Sequence, residues 1–316
     1  MSAVRFSAIA NLAALSALSF SLATPHAALA AKPSEPLIFS AHDNSAFDTH
    51  AFDVNKAGMV VGFYFDASYK AYGFVRSADG SYTDLKDPDA PTATFPRSIN
   101  DKGVVVGQST IDGWAQGWYY NIAKDKFKPV RVPAARATFA ESINNHGVIA
   151  GYTYFYPDPT KPTYFTVSGF TLKNGTYTLY SAPGAIYTYI RSINDKGDFA
   201  GMYTEAGTYA NHSFVQKADG SFTIVDAKNS INHAATIYGL SKKGDSVGTC
   251  SDASFNNWGC YYTAATGAVS EFSAGTLGST SPWSIKYSQV VGFGYDASTG
   301  KNRGFVIRKA DATGQD

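Results

Sequence analysis

The sequence predicts an all-β protein built from repeated groups of four strands. Three observations lead to this expectation. Beyond residue 30 the 316-residue chain contains only six leucines, whereas Phe, Tyr, Val, Ile, Thr and Gly are abundant, a composition typical of sheets. A unit that combines an Asn-x-x-Gly turn with a short apolar run returns six times. The glycines that end these runs lie 45, 44, 50, 47 and 44 residues apart, which indicates repetition of one structural unit.

The first two strands of each unit, called a and b, are joined by the Asn-x-x-Gly turn. The second copy reads Ile99-Asn-Asp-Lys-Gly-Val-Val-Val-Gly107. Asn and Asp favour the start of a tight turn, and glycine readily adopts positive φ there. The recurrence of these residues is therefore interpreted as structural. The six copies occupy residues 54–62, 99–107, 143–151, 193–201, 240–248 and 285–292.

Two further strands, called c and d, complete each unit. Strand c opens on a glycine and an aromatic residue, as in Gly73-Phe74, and strand d has a pattern such as Tyr82-Thr-Asp-Leu85. Four strands in a repeat of about 45 residues are typical of a propeller blade. The sequence therefore predicts a β-propeller in which each unit is one blade.

The two chain ends are expected to share the last blade. The sixth unit has no strand d after Gly304-Phe-Val-Ile307, while Pro36-Leu-Ile-Phe39 precedes the first strand a with the spacing of a strand d. A strand supplied by the N-terminus would leave no open sheet edge. We therefore expect six four-stranded blades in a single domain over residues 31–316. Five or seven blades are the alternatives, because the sixth copy is degenerate.

The N-terminus has the pattern of a secretory signal peptide. Arg5 is followed by a small and apolar stretch over residues 6–22 and by Ala28-Leu29-Ala30, which predicts removal of residues 1–30. No later apolar run approaches the length of about 18 residues that a membrane span needs. We therefore expect a secreted or periplasmic protein without a membrane span.

The two cysteines of the chain, Cys250 and Cys260, are close enough in sequence to pair. A disulfide is expected because an exported protein meets an oxidising compartment. The alternative is two free thiols.

Charge composition limits the partners. Lys and Arg number 26, and Asp and Glu number 25. Binding to nucleic acid or to an anionic membrane draws on clustered Lys and Arg, so neither is expected as a partner. We expect a monomer that meets a polysaccharide or another cell-surface polymer.

The repeated residues resemble the HAF-type repeats of predicted extracellular bacterial proteins. That family combines an Ile-Asn-x-x-Gly-x-Val-x-Gly stretch with a His-Ala-Phe-like stretch. Here the second stretch appears as Asn211-His-Ser-Phe-Val215, Ala71-Tyr-Gly-Phe-Val75 and Arg303-Gly-Phe-Val306. The resemblance covers essentially the whole mature chain. It implies an extracellular repeat protein, and it supplies no catalytic residues.

Aromatic residues concentrate in the connections at one end of the predicted blades. The b-to-c and d-to-a connections are long and aromatic, whereas the a-to-b and c-to-d connections are short and regular. Rings on loops suit stacking against the apolar faces of sugars. We therefore expect ligand binding at this end, with Trp114 and Trp258 among the contacts. The alternative is that half or more of these rings pack between blades.

Strand a carries a variable position three residues before the Asn column. Because strand a lies nearest the axis of a propeller, these side chains would form a central cup with a charged side and an apolar side. Such a cup would suit an acidic sugar or a small carboxylate. We expect Arg97, Glu141, Arg191, Tyr238 and Trp283 to bind this ligand. The alternative is a chain of ion pairs through the column's three charged members that ties blades together. The column consists of Phe52, Arg97, Glu141, Arg191, Tyr238 and Trp283.

Two classes of function compete on these observations. The leading hypothesis is a binding or scaffold module, for carbohydrate or another surface polymer. The alternative is a six-bladed hydrolase, lactonase or lyase in which His50 and Glu141 form an acid–base pair. His50 occupies a column that holds Phe95, Phe139 and Tyr189 in the next three units, which favours a packed ring. A purely structural part of an envelope assembly is the third possibility.

No cofactor is expected, because no nucleophile elbow, phosphate loop or dinucleotide fingerprint occurs. The histidines lack the spacing of a metal site. Acidic residues recur shortly after strand b, but without the alternating spacing of a calcium loop, so calcium is only a minor alternative. The acidic residues are Asp66, Asp112, Asp158, Glu205, Asp252 and Asp296.

Overall fold

A computed structural model describes residues 35–156, 165–225, 234–251 and 257–308. The predicted signal peptide, residues 1–30, lies outside this part of the chain. Asp158 and Asp252 of the acidic pattern also lie outside it.

The described residues form 24 strands and two short 3-10 helices, Ala41–Asp43 and Ile122–Lys124. The first eight strands are β1 Leu37–Phe39, β2 Asp48–Val54, β3 Val60–Phe65, β4 Ala71–Arg76, β5 Tyr82–Leu85, β6 Thr94–Ile99, β7 Val104–Ile111 and β8 Trp114–Asn121. The next eight are β9 Lys126–Val130, β10 Ala137–Ile143, β11 Ile149–Phe155, β12 Thr166–Lys173, β13 Thr176–Tyr180, β14 Ala185–Ile193, β15 Phe199–Glu205 and β16 Asn211–Gln216. The last eight are β17 Phe222–Ile224, β18 Ala234–Leu240, β19 Ser246–Ser251, β20 Asn257–Thr263, β21 Ala268–Phe272, β22 Ser279–Lys286, β23 Gln289–Asp296 and β24 Lys301–Arg308.

The described strands pair in antiparallel groups of four. Consecutive strands form the groups β2 to β5, β6 to β9, β10 to β13, β14 to β17 and β18 to β21, and the last group has the order β1-β24-β23-β22. In this last group the first and last described strands pair, with Leu37 opposite Val306 and Phe39 opposite Gly304. One parallel pair, Val167 with Tyr187, links β12 to β14. The prediction of an all-β fold is confirmed.

The strands at position a, which are β2, β6, β10, β14, β18 and β22, lie around a common centre. Each of them contacts the next in chain order, and β22 contacts β2. The apolar core lies between neighbouring groups of strands. Val61 and Leu85 of the first group, for example, pack with Ile99 and Trp118 of the second. The aromatic residue that opens strand c belongs to this core, and burial of such a ring stabilises the fold by about 1.5–3 kcal/mol. Four of these rings are completely buried: Phe74, Phe170, Phe214 and Phe305.

Every strand a carries a β-bulge at the same position. The pairing register with strand b slips by one residue there, for example between Ala140 and Ser142 on β10. The same slip occurs on the other five strands a. The residue left out of the pairing is the variable residue of the sequence column, such as Glu141. A bulge redirects a side chain, so the fold itself turns this column toward the centre.

The glycine that ends the repeated apolar run lies inside strand b and faces this bulge. In the third group a Cβ on Gly151 would overlap the carbonyl oxygen of Phe139, and the equivalent glycines of the other groups are equally close to strand a. Only glycine permits that approach of the two backbones. The spacing of these glycines in the sequence is therefore the spacing of the bulges.

The Asn of the turn has two roles. The Oδ1 atom of Asn100 accepts hydrogen bonds from the amides of Lys102 and Val104, both at 3.0 Å, which shapes the turn. Its Nδ2 atom donates to the carbonyl oxygen of Asn144 in the next group, at 3.2 Å. Asn144 repeats this bond to Asn194 at 3.0 Å. The sequence predicts the first role, whereas the bond between neighbouring groups comes only from the structure.

The two cysteines form a disulfide. Cys250 on β19 and Cys260 on β20 are bonded, with their Cα atoms 5.7 Å apart, and both side chains are buried. The prediction of a bridge is confirmed, and the alternative of two free thiols is wrong.

Removal of this bridge is expected to lower the free energy of unfolding. Its cysteines are 10 residues apart, and a loop of that size contributes about 2.5–3 kcal/mol by restricting the unfolded chain. Urea denaturation of the Cys250→Ala/Cys260→Ala double variant measures the loss. A reducing agent should destabilise the wild type and leave the double variant unchanged. Equal midpoints for the oxidised wild type and the double variant would contradict the prediction.

Candidate functional site

The six bulged side chains meet at the centre of the molecule. All six line one cavity of about 20 Å³, together with residues such as Asp53 and Lys286. The sequence predicted that they would meet, and the structure brings them together. The six side chains leave little open space between them.

The charged side of the centre contains one buried ion pair. Arg191 Nη1 lies 3.4 Å from Glu141 Oε2 and donates to Tyr152 Oη at 3.3 Å. Burial acts to lower the pKa of Arg191, but the combined effects of Tyr152, Glu141 and Tyr238 raise that pKa. Burial raises the pKa of Tyr152 to about 12. Arg191 is therefore a cation and Tyr152 a neutral hydroxyl over the physiological range.

Arg97 is held in a different way. Its guanidinium carbon lies 4.4 Å from the centre of the Phe52 ring and 5.5 Å from that of Trp283. With the Gln108 amide oxygen turned toward it, Arg97 Nε and Nη2 both donate to that oxygen at 3.1 Å. Burial lowers the pKa of Arg97, although Glu141 opposes this effect. Arg97 forms no ion pair with a described residue, so the predicted chain from Arg97 through Glu141 to Arg191 is present only in its second half.

Aromatic rings fill the other side of the centre. Tyr238 stacks on Trp283 with ring centres 4.2 Å apart, and Trp283 packs edge-on against Phe52 at 4.7 Å. Together with Arg97 over the Phe52 ring, these side chains form one continuous packed cluster.

The predicted cup therefore has no room for its predicted ligand. A cavity of about 20 Å³ holds roughly one water molecule and no sugar ring or organic carboxylate. Three buried polar atoms there have no hydrogen-bond partner among the described residues: Glu141 Oε1, Arg191 Nε and Trp283 Nε1. One water could accept from both nitrogens and donate to the carboxylate. Around this small cavity Arg191 pairs with Glu141, while Arg97 and Tyr238 pack on Trp283.

His50 is a packed ring. It stacks on Phe63 at 4.8 Å and lies 4.3 Å from Phe293, and its Nε2 atom is 3.0 Å from Asp48 Oδ1. Glu141 lines the central cavity and His50 does not. The acid–base pair of the enzyme hypothesis is therefore not assembled, because the two groups do not face a common described cavity.

A second buried ion pair, which the sequence reasoning missed, joins the first and last groups of strands. Lys286 Nζ on β22 lies 2.6 Å from Asp53 Oδ2 on β2. Ser284 and Ser98 also donate to the Asp53 carboxylate, at 2.5 Å and 2.6 Å. A signal was present in the sequence. Lys286 stands in the Asn column, and Asp53 stands in a column that holds serine in four of the other units.

Trp114 belongs to a cluster of half-buried rings at the b-to-c end of the strands. We call this cluster, together with the exposed Arg136, the aromatic patch. The guanidinium carbon of Arg136 lies 4.6 Å from the Trp114 ring, which meets Tyr156 edge-on at 5.2 Å. Phe165 continues the series, 5.9 Å from Tyr156, 5.4 Å from Tyr154 and stacked on Tyr187 at 5.2 Å. The patch extends over three neighbouring groups of strands.

The other loop rings have mixed environments. Tyr64 and Tyr203 are buried, as the packing alternative predicted, whereas Tyr69 and Tyr209 are 81% and 72% exposed. Trp258 lies on β20 opposite Cys250 of β19, away from the aromatic patch. The two candidate tryptophans therefore do not form one site.

The larger of the two cavities described here lies at the opposite end, among the a-to-b turns. It has a volume of about 370 Å³ and is lined by Lys56, Asp101, Asn145, Lys242 and Tyr287 among others. The sequence predicted short and regular connections at this end and ligand binding at the other end. The turns are indeed short, but they differ from one another in the residue that faces the cavity.

Metal and membrane sites receive no support from the described residues. Within the ranges given above, no three His, Cys, Asp or Glu side chains are arranged to hold a metal ion. Asp66 and Asp296 instead accept hydrogen bonds from Ser68 and Ser298 in their own turns. No described helix has the length and apolarity that crossing a bilayer requires.

Comparison with solved structures bears on the fold. A TolB-like protein of Agrobacterium tumefaciens matches with a TM-score of 0.54 at 11% identity, over 82% of this chain and 89% of that one. The β-propeller domain of the Trilobed protease from Pyrococcus furiosus, described as having an open velcro topology, matches with a TM-score of 0.50 at 10% identity, over 85% and 100%. The chain has a propeller-like fold.

A third match covers only part of its counterpart. A puromycin-hydrolyzing peptidase of Mycobacterium tuberculosis has a TM-score of 0.51 at 12% identity, over 82% of this chain and 53% of that protein. At such low identity these likenesses concern the fold alone. No protein-family model and no curated protein sequence matches the chain. The resemblance to HAF-type repeats therefore stays a prediction.

Proposed function

We propose that the chain is a six-bladed propeller of HAF-type repeats that serves as a secreted or periplasmic module for binding carbohydrate. Two observations support a closed ring of six blades. The strands a contact one another in a cycle, and the pairing of β1 with β24 adds a strand d to the last group. The disulfide supports an oxidising compartment, where such bonds persist.

The aromatic patch carries the proposal for carbohydrate. Half-buried rings that remain partly open to solvent offer flat apolar surfaces, and the core behind them fixes their orientation. Arg136 adds five donors beside Trp114, so a sugar ring stacked on the indole would find hydrogen-bond partners at its edge. A patch over three blades suits an extended polymer better than a compact metabolite. The binding module is therefore favoured over the hydrolase, lactonase or lyase.

A panel of neutral and acidic polysaccharides, tested by affinity electrophoresis and isothermal titration, examines this proposal. We expect at least one polysaccharide to bind and Trp114→Ala to weaken it by about 2 kcal/mol, roughly thirtyfold, as for an aromatic residue at the centre of an interface. Trp258→Ala is the matched control, since it removes a half-buried tryptophan outside the patch. Equal binding by Trp114→Ala and the wild type, or loss of binding in Trp258→Ala, would overturn the patch as the site.

A further inference from the structure

The cavity among the a-to-b turns has the size and layering of a small-molecule site. Its volume of about 370 Å³ falls within the range of roughly 300–1,000 Å³ that is usual for ligand pockets. Polar residues of the turns form its rim. Its bottom is lined by the apolar residues that precede the turns, Ile143, Ile193, Leu240 and Ile285.

Three carboxylates line the cavity, and all have protein partners. Asp245 accepts from Tyr261 Oη at 2.7 Å and from the Ala264 amide at 3.0 Å. Asp101 accepts from Tyr287 Oη at 2.6 Å, Asn145 Nδ2 at 2.9 Å and the Lys56 amide at 2.8 Å. Asp195 accepts from the amide and from Nδ2 of Asn145, at 2.8 Å and 3.0 Å. Their lone pairs face these donors, so an incoming cation would have to displace existing hydrogen bonds.

Two lysines on the rim are in the opposite situation. The side chains of Lys56 and Lys242 are exposed, line the cavity, and make no hydrogen bond or ion pair with a described residue. They stand in the turns of the first and fifth units, on either side of the sixth turn in the cycle of strands. Lys286 is different, because its ammonium group is bound to Asp53. The ammonium groups of Lys56 and Lys242 are therefore available to a ligand.

The sixth turn is unlike the others and shapes the mouth of the cavity. Tyr287 and Ser288 both adopt left-handed backbone conformations, with φ of 49° and 58°, where the other turns use glycine. Such strain persists only where the surroundings impose it, and it often marks a functional site. Here it carries the Tyr287 hydroxyl to Asp101 and Asn145. The mouth is thereby fixed between a side of hydrogen-bonded carboxylates and a side with exposed lysines.

We propose that this cavity binds a small organic anion. The anionic group, a carboxylate or a phosphate, would lie between the ammonium groups of Lys56 and Lys242, and a short apolar body would face the Ile and Leu residues at the bottom. The site lies at the opposite end of the strands from the aromatic patch and is independent of the carbohydrate proposal.

Thermal shift and isothermal titration with four probes test the proposal. Phenyl phosphate and hexanoate carry both features, inorganic phosphate carries the charge alone, and benzyl alcohol carries the apolar body alone. We expect at least one of the two organic anions to bind more tightly than inorganic phosphate and benzyl alcohol. Absence of binding by both organic anions would overturn the proposal, and so would equal binding of the neutral alcohol or of inorganic phosphate.

Variants locate the site. Lys242→Gln and Lys56→Gln should each raise the Kd of the bound anion about fivefold, the effect of one solvent-exposed ion pair, whereas Lys242→Arg should keep it. Lys126→Gln is the control, an exposed lysine on β9 away from the cavity. Unchanged affinity in both glutamine variants would place the anion elsewhere and overturn the proposal. Polysaccharide binding should be the same in all four variants, so failure of one proposal does not imply failure of the other.

Discussion

Replacement of Asp53 by serine is expected to lower the free energy of unfolding by about 3 kcal/mol, or the melting temperature by about 5 °C. The carboxylate is buried and accepts hydrogen bonds from Ser98, Ser284 and Lys286. Its loss leaves the Lys286 ammonium group without its counter-charge and removes the link between the first and last groups of strands. Thermal and urea denaturation measure the effect.

The other units indicate a compensating double substitution for this ion pair. Serine and asparagine occupy these two positions in the second, third and fourth units, as in Ser98 and Asn100. Lys286→Asn alone should also cost about 3 kcal/mol, because it leaves a buried carboxylate unpaired. The Asp53→Ser/Lys286→Asn double variant should cost less than the sum of the single variants by at least about 1.5 kcal/mol. Additive losses would show that the two groups do not act as a pair.

Replacement of Glu141 by glutamine is expected to cost about 3 kcal/mol for a related reason. The change keeps the shape of the side chain and removes the charge that faces Arg191 at 3.4 Å. Arg97 lies in the same cluster and also gains from this carboxylate, since Glu141 opposes the lowering of its pKa by burial. The guanidinium groups of Arg97 and Arg191 would then remain at the centre without the carboxylate that stabilises both of them.

Glu35→Gln is the control for this experiment. It makes the same chemical change at an exposed position near the start of the described chain, and its effect should stay within about 0.5 kcal/mol. Polysaccharide binding by Glu141→Gln should persist as long as the protein is folded. If Glu141→Gln had wild-type stability but no longer bound polysaccharide, this result would show that the ligand binds at the central cup.

Much of the fold could be predicted because its determinants are local. The Asn-x-x-Gly turn and the recurring glycine inside strand b act within a few residues, so each copy shows its structure in the sequence. The column from Phe52 to Trp283 was also visible as a column. That these side chains meet at the centre was predicted, whereas their dense packing was not. The packing depends on contacts between residues of different units, and such contacts are not encoded at one position.

The features that escaped prediction depend on residues far apart in the chain. Asp53 and Lys286 meet only when the first and last repeats are neighbours, although both depart from their columns. The cavity at the turn end is lined by residues of separate turns that come together only in the folded ring of strands. Whether the rings around Trp114 would be buried or open depended on packing between three groups of strands, and the sequence left that question undecided.

The indole N–H resonances of the four tryptophans provide the most direct test of the site assignment. Trp114 lies in the aromatic patch, Trp118 in the core, Trp258 on β20 and Trp283 at the centre. Titration of the labelled protein with a bound polysaccharide should shift the Trp114 signal and leave the Trp283 signal in place. A shift of Trp283 with Trp114 unchanged would place the ligand at the centre and contradict this account.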